Sequence, residues 1–276
     1  MLEYVTLDLG SHMAIRVAIK LGGGLITEKH KMKKFNHKAM EVVADTLCSV
    51  SELGASIVLV HGAGSYGHLL AKKWGIAEGL NIHEEKDQRE AVREIRSDMR
   101  ELNKLIMRKI SEKGLECSCH PPSDWAKGTG ARFAGEISIF ERGASDPIPV
   151  TFGDVVDTAD ESEFGILSGD DLMLRLSTEL GVTHSIFLIG DAEGVLSGPP
   201  SEKDSELITH LGPDTKINGE HDANIDVTGG IGLKIERSLE IAKIVDEVWI
   251  IDGRKPDRVL ELLTSGETIG TKILSG

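Results

Sequence analysis

The run Val58-Leu59-Val60-His61-Gly62-Ala63-Gly64-Ser65-Tyr66-Gly67-His68 restricts the fold of this chain more than any other segment. Apolar β-branched residues lead straight into a glycine-rich turn, and a histidine stands at each end of that turn. Such a run reads as a buried strand that opens at its carboxyl end onto a helix. Glycines at the junction let backbone N–H groups approach an anion, and the helix adds its positive N-terminus. A histidine at the helix start reaches the same anion. The segment therefore predicts an α/β fold with a phosphate-handling turn.

The rest of the chain repeats this alternation. Residues 14–21 read as a strand ending in Gly22-Gly23-Gly24, and residues 38–53 as a helix with Ala39, Val42, Val43, Thr46 and Leu47 on one face. Residues 56–60 form the strand before the Gly62–His68 turn. Residues 84–113 form a long charged helix whose stripe is Ile95, Met99, Leu102, Ile106 and Ile110. A strand at 148–152 ends at Gly153-Asp154, and a helix at 171–180 follows the acidic cap Ser168-Gly169-Asp170-Asp171. Further strands are expected at 185–189, 247–252 and 270–273, with helices at 232–243 and 256–263. Residues 198–225 are rich in Gly, Pro and charge and are expected to form an excursion with weak structure. Strands alternating with helices predict a largely parallel sheet, with ligands gathered at the carboxyl ends of its strands.

Composition removes several classes. The 276 residues carry a net charge of −14, which opposes general nucleic-acid binding. No stretch reaches the roughly 20 apolar residues of a membrane span, and no signal peptide opens the chain. The cysteines Cys48, Cys117 and Cys119 are odd in number and lack framework spacing, so a reducing cytoplasm is expected. Gly10-Ser11-His12-Met13 reads as the scar of an expression tag. Residues 1–12 are therefore expected to be a tag remnant, with a native strand at Tyr4–Leu9 as the rival reading, and 13–276 a single domain.

Each motif has a bland alternative. Gly62-Ala63-Gly64-Ser65-Tyr66-Gly67 spells the G-x-G-x-x-G of dinucleotide sites, but the acids at the right distance, Glu84 and Glu85, open a helix instead of closing a strand. No G-x-x-x-x-G-K-[ST] occurs, so the chain is not a P-loop protein. Lys20 enters the carboxyl edge of the first strand beside three glycines, a costly place for a core residue and a suitable one for a cation facing phosphate. Lys29 by itself reads as a surface charge. Ser168 to Asp171 could simply cap a helix, or its carboxylates could orient a lysine. Gly190-Asp191-Ala192-Glu193-Gly194 ends a strand and suits a nucleotide, as does Asp226-Val227-Thr228-Gly229-Gly230 with Lys234 at a helix start. Cys117-Ser118-Cys119-His120 lacks a second ligand cluster and reads as a small strand, not a metal site.

Taken in order, Lys20–Lys29, His61–His68, Phe152–Asp154, Ile166–Asp171, Asp226–Gly230 with Lys234, and Gly270–Lys272 resemble the amino-acid kinase superfamily, in its isopentenyl phosphate kinase branch. The match runs from residue 15 to 274, and His68 separates this branch from the amino-acid and uridylate kinases; fosfomycin kinase is similar and shares that histidine. The resemblance implies a three-layer α/β/α sandwich, with an acceptor-phosphate lobe at about 13–165 and an ATP lobe at about 166–276. It implies ATP and Mg2+ as cofactors, isopentenyl phosphate as acceptor, and a homodimer. Carried over, Lys20 and Lys29 neutralise the migrating phosphoryl. Gly62, Ala63 and Gly64 supply backbone donors, His68 grips the acceptor phosphate, Gly169 approaches it, and Asp170 orients the lysines. Lys20, Gly22, Gly23, Gly24, Gly64, Asp191, Gly194, Gly230 and Lys234 hold the nucleotide. The branch often has Gln-Pro-Ser-Ser where this chain has His120-Pro121-Pro122-Ser123, a loop expected beside the acceptor pocket. A kinase for another small phosphate or phosphonate, and a nucleotide sensor without catalysis, are the alternatives; the retained lysines favour catalysis.

Overall fold

Five strands carry unbroken apolar runs, so both of their faces must be covered. They are β1 (Arg16–Leu21), β2 (Ser56–His61), β6 (Ile148–Phe152), β9 (His184–Ile189) and β11 (Glu247–Asp252). The computed structural model describes residues 14–28, 31–199, 204–215 and 230–276. Its main sheet has the order β10-β12-β11-β9-β1-β2-β6-β3, where β3 is Cys117–Cys119, β10 is His210–Leu211 and β12 is Thr271–Ile273. Every pairing is parallel except β11 with β12. Two small antiparallel pairs complete the strands: β4 (Ala126–Lys127) with β5 (Ala134–Gly135), and β7 (Asp154–Asp157) with β8 (Phe164–Leu167).

Alternation along the strands sorts their side chains into two cores. Val17, Ile19, Leu21, Ile57, Leu59, Val150 and Phe152 face one layer. It is built from α2 (His37–Glu52), α3 (Gly64–Lys73), α4 (Glu85–Ser111) and α8 (Asp257–Ser265). Ala18, Val58, Val60, Phe187 and Ile189 face the other, built chiefly from α6 (Gly169–Glu179) and α7 (Gly230–Ala242). The fold is thus the expected three-layer sandwich. The α4 helix has 27 residues, about 40 Å at 1.5 Å per residue, and its predicted stripe from Ile95 to Ile110 is buried. Asn36 caps α2 by accepting from the Ala39 N–H at 3.2 Å, and Ser168 caps α6 by accepting from the Asp170 N–H at 3.1 Å. The α6 helix therefore begins at Gly169, two residues before the sequence pattern suggests.

One expectation is refined and another holds. The excursion after residue 198 is not without structure: β10 joins the sheet beside β12, and Leu196 bridges Leu207. Glu84 and Glu85 do open α4, so the glycine turn lacks the acid-tipped second strand that a dinucleotide site requires. The proposed tag at 1–12 lies outside the described residues.

At the carboxyl rim, strand ends meet backbone to backbone. The residue after each of the five strands is glycine: Gly22, Gly62, Gly153, Gly190 and Gly253. A Cβ on Gly62 would lie 2.8 Å from the Gly23 nitrogen, and one on Gly190 would lie 2.6 Å from the Leu25 Cα. The tightest crossing joins two turns, since a Cβ on Gly23 would sit 2.4 Å from the Gly64 nitrogen. Thr27 locks that crossing. Its hydroxyl donates to the Gly23 carbonyl at 2.8 Å and accepts the Ser65 N–H at 3.0 Å.

Gly23→Ala is therefore expected to lose on the order of 2–4 kcal/mol of stability or to fail to fold, because a backbone pair must separate. Gly212→Ala is its control, since nothing lies within 4 Å of a Cβ there. Urea denaturation of both variants checks this; equal midpoints would refute the packing argument.

Candidate functional site

One cleft opens along this rim, at the ends of β1, β2, β6 and β9. Lys20 belongs to the even-numbered side of β1, so it points away from the α2 layer and toward α6. There its Nζ lies 2.5 Å from Oδ1 of Asp170, in the first turn of α6. The Nζ of Lys234, in α7, lies 3.3 Å from the same oxygen and 5.6 Å from the Phe187 ring centroid. All three side chains are buried. Residues 20, 170 and 234 are far apart in sequence, and the sheet with its two helices brings them to one carboxylate.

Burial pulls Lys20 down to about 8, with Lys234 adding to the fall and Asp170 opposing it. Burial alone would raise Asp170, but the two lysines outweigh it and hold its carboxyl below the usual range. Two cations share one anion, so the cluster is short of negative charge. Gly169 makes room for it: a Cβ there would meet the Lys20 Cε at 3.0 Å. Asp171, beside it, points elsewhere and pairs with Arg237 at 2.7 Å.

Glycine turns surround the cluster. Gly22, Gly23, Gly24, Gly62, Ala63, Gly169, Asp191, Gly194 and Gly230 all line the cleft. Gly64 does not. It is buried behind the wall with φ 50°, where a Cβ would lie 2.1 Å from the Thr27 hydroxyl. Its glycine character serves turn-on-turn packing, so the sequence correctly marks the position as special but assigns it the wrong neighbour. The sequence motifs do not include Thr27, although a threonine four residues after a glycine at a helix start can bond that carbonyl. The loop 190–195 is braced by Thr271, whose hydroxyl accepts the Val195 N–H at 2.8 Å and donates to the Ile208 carbonyl at 2.7 Å. Lys29 and Asp226–Gly229 lie outside the described residues.

The opposite end of the cleft is apolar. His68 and Ala71 come from one face of α3, Ile95 and Met99 from α4, and Val155 and Ile166 from β7 and β8. Gly67 lets the two helices approach: a Cβ there would lie 3.4 Å from the Met99 sulfur. The loop 120–123 does not line the cleft, contrary to expectation. Its His120 bonds Ser118 at 3.0 Å and packs on Phe140. Cys117–Cys119 forms β3, an edge strand paired in parallel with β6.

Asp154 is the exception in the apolar end. One carboxyl oxygen accepts the Val155 N–H at 2.8 Å, while the other is buried without a partner. Burial raises its pKa to about 7. Between the ordinary value of 3.8 and about 7, the folded state holds a proton that the unfolded chain has released. Stability from this group therefore falls as pH rises through that window and is flat above it. Asp154→Asn should remove the dependence. Relative to the variant, the wild type should lose on the order of 2 kcal/mol between pH 5 and pH 8. Parallel denaturation curves at the two pH values, with no difference between the proteins, would contradict this.

Comparison with known proteins agrees with this geometry. The amino acid kinase family model matches residues 16–252. The chain is 29% identical over 245 residues to the isopentenyl phosphate kinase of Thermoplasma acidophilum, covering 87% of this chain and 93% of that protein. It is also 29% identical to the isopentenyl phosphate kinase of Methanothermobacter thermautotrophicus, over 93% of this chain and 98% of the relative. A crystal structure of isopentenyl phosphate kinase superposes with a TM-score of 0.80 at 26% identity, covering 94% of this chain and 99% of that one.

Proposed function

The chain belongs to the amino acid kinase family, and from that premise we infer that it phosphorylates isopentenyl phosphate, with ATP as donor, to give isopentenyl diphosphate. The observation that carries this is the two-ended cleft: a buried cation cluster among glycine turns at one end, and an apolar slot beside a histidine at the other. A short branched hydrocarbon with a phosphate head matches that division. The polar end suits phosphates, and Ala71, Ile95, Met99, Val155 and Ile166 suit the tail.

Transfer between two phosphates needs little covalent help from a protein. The acceptor oxygen is already anionic, so no strong general base is required; positioning and charge neutralisation supply the rate. In this reading Lys20, together with Lys29, neutralises the migrating phosphoryl. Asp170 holds Lys20 and Lys234 in place. Lys234, Asp191, Gly194 and Gly230, in the half of the chain from about 166, receive the nucleotide together with the Gly22–Gly24 turn of the first half. The Gly62–Ala63 backbone and His68 hold the acceptor phosphate, with Gly169 close by. Magnesium would be held mainly by the nucleotide phosphates and water, its usual manner with nucleotides, and this fits a cleft whose central carboxylate is already shared by two lysines. Bound there, it would supply further neutralisation of phosphate charge. A homodimer in the cytoplasm completes the proposal.

A coupled assay with isopentenyl, dimethylallyl and geranyl phosphates and fosfomycin tests the assignment. Isopentenyl phosphate should have the highest kcat/KM, and a preference for fosfomycin would overturn the reading. Lys20→Met should lower turnover on the order of 100-fold or more while ATP binding weakens far less, because fixed cations act on charge developing in the transition state. Wild-type turnover in that variant would remove Lys20 from the mechanism.

His68→Ala should cost about 10- to 200-fold in acceptor kcat/KM, the loss of roughly 1.5–3 kcal/mol from a hydrogen bond to a charged partner. The KM for ATP should hold. Steady-state kinetics beside a melting curve checks this, and unchanged acceptor efficiency at a normal Tm would exclude the role.

A further inference from the structure

His61 opens the glycine turn, yet it does not line the cleft. Strand alternation places it with Ile57 and Leu59, on the α4 side of the sheet. There it is fully buried and stacks on Phe152, its register partner in β6, with ring centroids 4.9 Å apart. Its Nδ1 lies 3.1 Å from the Gly62 carbonyl oxygen, and its Nε2 lies 3.2 Å from Oδ1 of Asn103. Asn103, also buried, reaches the Cys119 sulfur at 2.9 Å with its other amide atom. This histidine cannot touch a ligand. Anything it does for the site passes through the backbone.

A neutral imidazole has one N–H to give. Burial pushes His61 down to about 4, so the ring is neutral at working pH. The Gly62 carbonyl is a fixed acceptor, and no other donor reaches it among the described residues. The Asn103 amide is not fixed in this sense. Turned about its last bond, it donates N–H to Nε2 and presents oxygen to the Cys119 thiol, which can donate in turn. Only the tautomer with its proton on Nδ1 gives the Gly62 carbonyl a donor; the turned amide gives up its weak contact with the Met107 sulfur, 3.3 Å away, and gains the Cys119 thiol as a donor.

We propose that His61 is a positioning residue: its Nδ1–H holds the Gly62 carbonyl toward the α4 layer and so aims the next N–H at the acceptor phosphate. In a planar trans peptide the carbonyl and the following N–H point in opposite directions. With the Gly62 oxygen drawn beneath the turn, the Ala63 N–H faces the cleft. Ala63 lines the cleft, and its N–H meets no acceptor among the described residues. Asn103 sets the tautomer from the far side of the ring.

The inference rests on the reading of this turn as the acceptor seat, and its test keeps the two apart. Asparagine places an N–H where Nδ1 of histidine stands, whereas glutamine places one near Nε2. His61→Ala should raise the KM for isopentenyl phosphate by about 10-fold or more, the loss expected when one donor to a charged group is misdirected. His61→Asn should recover most of that loss and His61→Gln should not, with the KM for ATP unchanged throughout. Recovery by Gln instead of Asn, or equal loss in both at wild-type Tm, would overturn the proposal. His68→Ala in the same series separates the failures. If it alone raises the acceptor KM, the positioning role is wrong and the seat stands; if the His61 variants move the ATP KM instead, the seat itself is misassigned. Should the variants not fold, NMR of the wild type with 15N-labelled histidine decides: a proton on Nδ1 supports the proposal, and a proton on Nε2 refutes it.

Discussion

Everything in the cleft depends on how closely the strand ends of the parallel sheet approach one another. Five strands stop and five glycines follow, and the turns they begin are stacked peptide on peptide. Where Gly23 crosses Gly64 there is no room for even one methyl group. This is a steric constraint before it is a chemical one. Because the rim is made of touching backbones, the lysines and N–H groups mounted on it inherit positions that side-chain packing alone would not define so narrowly. Thr27 and Thr271 act on the same rim from opposite sides, each tying two segments distant in sequence with a single hydroxyl.

Much of this was legible in the chain. Apolar runs bounded by glycine identified the parallel strands, and the stripe of α4 from Ile95 to Ile110 identified the helix that walls the apolar end. Lys20 was conspicuous because a lysine at the end of a buried run needs an explanation, and Asp170 supplies it. That pairing itself was not readable from spacing, since 150 residues separate the two partners. Long-range juxtaposition is a property of sheet order, and the resemblance, not the pattern, anticipated it. Gly64 shows the opposite failure. A glycine required for turn-on-turn contact looks, in sequence, the same as one required for contact with phosphate. The loop at 120–123 was misplaced for a related reason: β3 runs at the sheet edge, and its sequel turns toward Phe140 instead of the cleft. Asn103 carries no signal of its own, because its value lies in His61 and Cys119 on other elements, and Thr27 offers only its spacing from Gly23.

The distribution of charge also divides the molecule. Acidic residues outnumber basic ones by 45 to 31 over the chain, while the deepest part of the cleft holds two lysines for one aspartate. The sign of the site is therefore local and opposes the sign of the whole. Low-dielectric surroundings strengthen the local term relative to the screened surface charge, so the net charge opposes an extended polyanion far more than a small one.

Asp170 has one more consequence. Its carboxylate lies in the grip of two lysines that would otherwise repel each other in a buried space. The fold can thus assemble without waiting for an anion to quench that repulsion. The same arrangement tempers how firmly a phosphate can be held, since the charge of both lysines is already shared with Asp170. An enzyme that must let go of two highly charged products after every cycle is well served by a grip whose charge is already shared.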